Sequence, residues 1–224
     1  GVFASTSADI VKRLLQGVAG VAVPGDLDLF SFNTVNTLQP APIGYYLDEA
    51  SDAKVADVIA DIMGKIGGYG GFQREGKFEV KLFRAPSGVP SAHYSRIDII
   101  DIKREKLPDG IYPPPYRYRV AWGRNYLVQT GAAVAGDVST DRRAFLQQPY
   151  RLAASLAADS AQIVSDYPQA QDPSSIEAYF RDEADASTEA QRLLDLYGKS
   201  SFSLYRIVLK SRPFVHRIGD LLRR

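Results

Sequence analysis

Between Ser51 and Leu82 the spacing of apolar residues changes from the period of a helix to that of a strand, and that change restricts the fold more than anything else in the sequence. Val55, Val58, Ile59, Ile62, Met63 and Ile66 fall on one face of a helix spanning Ser51 to Ile66, with Asp52, Lys54, Asp57, Asp61 and Lys65 on the other. Gly67-Gly68 stops it. Tyr69 to Arg74 and Lys77 to Arg84 then read as two strands joined at Glu75-Gly76, with Phe78, Val80 and Leu82 on one side. A helix that feeds directly into a hairpin suits α+β packing rather than a doubly wound parallel sheet.

The flanking segments continue that pattern. Ile10, Val11, Leu14 and Leu15 form an apolar stripe on a helix from Ser7 to Gly17 that Ser7 can cap. Pro24-Gly25 marks a turn, and a short second helix follows around Leu27, Leu29, Phe30 and Phe32. Pro40 and Pro42 precede a brief strand, Ile43 to Leu47. Extended runs are expected at Ala92–Tyr94 and Ile97–Lys103. Helices are expected at Ser139–Gln147, Asp159–Asp166 and Asp185–Tyr197, and a strand at Ser201–Lys210.

The run from Pro108 to Pro115 ends in three consecutive prolines and contains Asp109-Gly110. It reads as a stiff connector between a helix-plus-hairpin subdomain over 1–107 and a second α+β subdomain over 116–224. Beyond it, Tyr116, Tyr118, Val120 and Trp122 alternate with Arg117, Arg119 and Ala121, predicting a half-buried strand over 116–129 with aromatics on one side and arginines on the other. A small-residue loop, Gly131 to Gly136, comes next. Tyr150 to Leu156 is extended again, and the acidic stretch Asp172–Asp185 is expected at the surface.

Little in the sequence suggests covalent chemistry. With no cysteine, disulfides, thiolate zinc sites and cysteine nucleophiles are excluded. His93 and His216 are the only histidines and lie far apart in sequence. Gly67 to Gly71 follows a helix and precedes a strand, the reverse of a nucleotide loop, and no Gly-Lys-Ser/Thr accompanies it. Asp48/Glu49, Asp98/Asp101 and Asp182/Glu183/Asp185 have no calcium-loop rhythm and read as solvated surface. No catalytic, cofactor or metal residue is therefore assigned, and no enzymatic activity is expected. No apolar run approaches the roughly 18 residues of a membrane span.

Thirteen tyrosines with Trp122 fit strand cores or protein interfaces. Charge is distributed in blocks: residues 71–125 carry eleven bases against six acids, and 126–198 carry five against eleven. Such blocks can steer neighbouring subunits together. The arginine–aromatic run at 116–126 also resembles a single-stranded nucleic-acid platform, but the expected separation of faces favours an interface, and nucleic acid is not expected as a partner.

Together, Tyr116 to Gln129 with Asp141 to Arg151, Ser7 to Leu15, Val55 to Gly67, Gly70 to Val80, Ala190 to Gly198, and Ile218-Gly219-Asp220 resemble the tail hub or tail tip proteins of long-tailed bacteriophages and prophages, related to baseplate hubs. The resemblance implies small antiparallel β-domains with inserted helices. It also implies a structural role: closing the end of the tail tube, with copies joined in a ring, trimeric in related hubs, that supports fibres or receptor-binding parts. Distal tail, tape measure and fibre proteins would be partners, in a virion tail assembled in the bacterial cytoplasm. The alternative is a carbohydrate-binding or carbohydrate-degrading tail domain. Val2-Phe3-Ala4 and Ile218 to Arg224 read as chain in progress, so a piece of a longer polypeptide is expected.

Overall fold

The computed structural model describes residues 4–23, 25–47, 52–85, 88–107, 111–199, 203–210, 216, 220 and 222–223. Pro24, the Asp48/Glu49 pair, Ser51, Pro108 to Gly110, Ser201 and Ile218-Gly219 lie outside them. The elements are α1 (Ser7–Gly17), α2 (Leu29–Leu38), α3 (Val55–Lys65), β1 (Gly68–Phe72), β2 (Phe78–Leu82), β3 (Ala92–His93), β4 (Ile99–Glu105), β5 (Arg119–Trp122), α4 (Thr140–Leu146), β6 (Arg151–Ala154), α5 (Ala157–Asp166), β7 (Ile176–Phe180), α6 (Glu183–Leu193), β8 (Leu204–Leu209) and β9 (Leu222–Arg223). The fold is α+β with small sheets.

Helix α1 has the expected bounds, but Thr6 caps it. The Thr6 hydroxyl accepts from the Asp9 amide at 3.2 Å and donates to Asn36 Oδ1 at 2.6 Å, tying α1 to α2. Ser7 is buried instead. Asp28 caps α2 through the Ser31 amide, and the Ser31 hydroxyl in turn accepts from the Val80 amide of β2. Helix α3 buries Val58, Ile59, Ile62 and Met63 as its stripe requires. Gly67 ends it at φ +64°. The β1–β2 hairpin runs antiparallel from Gly68↔Leu82 to Phe72↔Phe78. Its glycines let two backbones approach: a Cβ on Gly68 would lie 2.5 Å from the Lys81 carbonyl oxygen.

The expected strand over 116–129 is confined to β5, because Gly123 turns the chain at φ +60°. Nor does β5 alternate between core and solvent. It lies between β6, antiparallel, and β7, parallel, so the consecutive residues Val120 and Ala121 are both buried. Strand β7 contradicts the expectation that Asp172–Asp185 is all surface: Ala178 and Phe180 enter the core. Ile43 to Leu47 forms no strand; Ile43 makes a single bridge to Phe180. Helix α6 packs on β5 and β6 and continues into one π-helical turn, Leu194–Gly198.

One cluster of buried side chains draws Val11, Phe32, Ile62 and Val80 from before the proline run and Val120, Phe180, Ala190 and Leu194 from after it. Burying a side chain such as Phe180 stabilises the fold by about 1.5–3 kcal/mol relative to exposure. Glu189 of α6 is almost wholly inaccessible. It accepts from Gln39 Nε2 at 2.8 Å and from Arg192 Nε and Nη2 at 2.8 and 2.6 Å. Arg192 also donates to the Ile66 and Phe83 carbonyls, so one ion pair joins α6 to the ends of α3 and β2.

Candidate functional site

The largest departure from a closed fold is the ribbon of β4 and β8. The strands pair antiparallel, Asp101↔Val208 through Glu105↔Leu204, and no other helix or strand among the described residues packs substantially on either. Their register sorts the side chains. Ile102/Ile207 and Arg104/Tyr205 share one face, and Asp101/Val208, Lys103/Arg206 and Glu105/Leu204 share the other. A bulge at Ile100 takes up one extra residue, so Ile99 pairs with Leu209 on the Ile102 face instead of following Asp101 to the charged one. That largely apolar face remains open: Ile207 is 49% and Tyr205 51% exposed. A two-stranded ribbon is marginally stable in water unless more strands or another surface complete it.

On the charged face Lys103 stands directly across from Arg206, a like-charge pair that destabilises the ribbon. Arg206 Nε lies 3.4 Å from Glu105 Oε1. Asp101 and Lys103 make no ion pair within the described residues.

The arginines singled out by sequence are committed elsewhere. Arg117 grips Asp172 with Nε and Nη2 at 2.9 and 2.5 Å, and Arg119 reaches the same carboxylate at 3.2 Å. Hydrogen bonding from Arg117 holds the Asp172 carboxyl below its ordinary value. Arg124 pairs with Glu177 at 3.1 Å. These contacts neutralise the basic run with acids from the 172–177 segment, leaving fewer cations for a phosphate backbone. Tyr118 is buried against Tyr197, and burial pushes its hydroxyl up to about 12.

Four tyrosines converge, which the sequence did not signal because they come from three distant segments. Tyr45 meets the Tyr179 ring edge-on with centroids 4.8 Å apart, Tyr46 lies 5.5 Å from Tyr126, and Arg124 sits over both Tyr126 and Tyr179. Tyr179 donates to Asp61 at 2.5 Å, and burial followed by that carboxylate raises its pKa. Tyr126 donates to the Gly44 carbonyl at 2.7 Å.

His93 is exposed, whereas His216 contacts the Tyr94 hydroxyl and lies 3.9 Å from Asp220. Asp98 closes a local turn by accepting from Ser95. Asp182, Glu183 and Asp185 occupy the start of α6, where the helix dipole favours negative charge. No group of three acidic or histidine side chains among the described residues could hold a metal ion, and no described helix is long and apolar enough to cross a membrane. No protein-family model matches the sequence, and a search of curated proteins finds no match.

Proposed function

We propose that this chain is a structural subunit of a bacteriophage or prophage tail hub or tip, working by contact rather than by turnover. The observation that carries this reading is the β4–β8 ribbon. It is an antiparallel pair with an open, largely apolar face, a charged opposite face and, among the described residues, two free edges, and such a surface is suited to strand addition by a neighbour. Copies would close a ring at the end of the tail tube, three in number if the resemblance to hubs extends that far. The ring would hold distal tail, tape measure and fibre proteins in the virion, after assembly in the bacterial cytoplasm.

The second reading, a domain that binds or cleaves surface carbohydrate, draws on the tyrosine cluster. Tyr46 and Tyr126 are exposed there beside Asp61 and Glu177, and aromatic faces with carboxylates suit sugar rings. Two experiments separate the readings. Ribbon variants Ile102→Asp and Ile207→Asp, returned to the gene in a phage or prophage that carries it, should yield particles without complete tails when viewed by electron microscopy. Intact tails from both variants would end the hub reading. Titration with host cell-wall polysaccharide should give no heat and no released sugar; binding lost on Tyr126→Ala would favour the carbohydrate domain.

A further inference from the structure

We propose that free copies of this chain pair two-fold through the outer edge of β4, with Ile102 of one copy facing Ile102 of the other. The proposal rests on the ribbon being an assembly surface, but not on the tail assignment. When two identical strands pair antiparallel about a two-fold axis perpendicular to the sheet, the axis must pass beside a residue that faces its own copy. Each choice of centre therefore fixes every other pair within the regular stretch of the strand, which in β4 runs from Asp101 to Glu105.

Only one centre in the ribbon brings opposite charges together without also setting identical charges face to face. Centred on Asp101, Lys103 or Arg104 of β4, or on Arg206 of β8, identical charges face each other. Centred on Ile207, Arg206 meets the apolar Val208. Centred on Ile102, Asp101 of each copy faces Lys103 of the other, so two opposite-charge pairs form on the charged face. Both side chains lack an ion pair among the described residues, and Lys103 already stands across from Arg206. The Asp101 carboxylate of the second copy would flank Lys103 on its open side and offset that repulsion.

The opposite face gains as well. The native register puts Ile207 beside Ile102, so pairing creates an unbroken row of four isoleucines, Ile207 and Ile102 from each copy, across a four-stranded sheet β8–β4–β4–β8. Four strands also exceed the three or more that give a sheet independent stability, which the lone ribbon lacks.

The test is a charge swap read by sedimentation over a concentration series. The unaltered chain should be dimeric at high concentration. Asp101→Lys and Lys103→Asp singly should each weaken the dimer by about tenfold or more, because two opposite pairs become two like pairs. The double variant rebuilds both pairs with reversed sign and should return the dissociation constant to within about threefold of the starting value. Hydrogen exchange of the unaltered chain provides a second measure, with the amides of β4 that point away from β8 gaining protection as the dimer forms. A monomer at every concentration would overturn the pairing while leaving the ribbon open to a different tail protein. A trimer indifferent to the charge reversals would overturn it in favour of ring closure. Failure of the double variant to recover would overturn it too.

Discussion

Replacing Arg192 by methionine keeps most of the side-chain length and removes the cation from beside a carboxylate that has no access to water. Glu189 is 1% exposed and would retain only the Gln39 amide, while the Ile66 and Phe83 carbonyls would each lose a donor. Stranding one member of a buried pair costs about 3–5 kcal/mol. Because the Arg192 side chain is itself 26% exposed, its charge is partly screened and the lower end, about 3 kcal/mol, is expected. For a chain of this length that lowers the melting temperature by about 6–12 °C. The loss depends on pH. Burial pushes the Glu189 carboxyl above its ordinary value against the pull of Arg192 and then Gln39, and removing Arg192 sends it higher. A raised carboxyl binds its proton more tightly in the folded state, so its contribution is fully present below the ordinary glutamate value of 4.5 and is lost as pH rises through the folded value. The variant should thus be most destabilised near neutrality and recover toward acid pH, when compared with the parent by urea unfolding at several pH values. A loss below about 1 kcal/mol, or one constant with pH, would refute the view that this pair stabilises the junction of α6, α3 and β2.

Three further outcomes are expected from the packing of other side chains. Gly68→Ala should cost about 1–3 kcal/mol in urea unfolding, because its Cβ would meet the Lys81 carbonyl, whereas Gly71→Ala, with open space around it, should stay within about 0.5 kcal/mol. Tyr179→Phe should cost about 1–2 kcal/mol by the same assay, since Asp61 loses one of its donors in a partly buried site. Asp172 should titrate below 3.8 by NMR, because Arg117 holds it ionised; a lowered carboxyl stabilises above its unfolded value and ceases to do so as pH falls through the folded one. Arg117→Gln should move that titration back toward 3.8.

Local patterns in the sequence were enough to place α1, the body of α3 and the β1–β2 hairpin, because each rests on nearby apolar spacing and a glycine or capping side chain at its end. Strand β7 was hidden because acids surround it: Ile176, Ala178 and Phe180 alternate into the core within a stretch whose charge suggested solvent. The arginines at 117, 119 and 124 looked available because their partners, Asp172 and Glu177, lie some fifty residues away and meet them only once β7 pairs with β5. The ribbon was half visible. Both strands were expected, but which residues share a face depends on a pairing across about a hundred residues and on the bulge at Ile100, and a single-strand period encodes neither. The same non-locality hid the convergence of Tyr45, Tyr46, Tyr126 and Tyr179.

Amide hydrogen exchange over residues 99–105 and 204–209, compared between the dilute free chain and purified tail particles, tests the assembly reading most directly. The outward-pointing ribbon amides should exchange rapidly in the dilute chain and become strongly protected in the particle, where a neighbouring strand takes up their hydrogen bonds. Equal exchange in both, or absence of the chain from the particles, would contradict it.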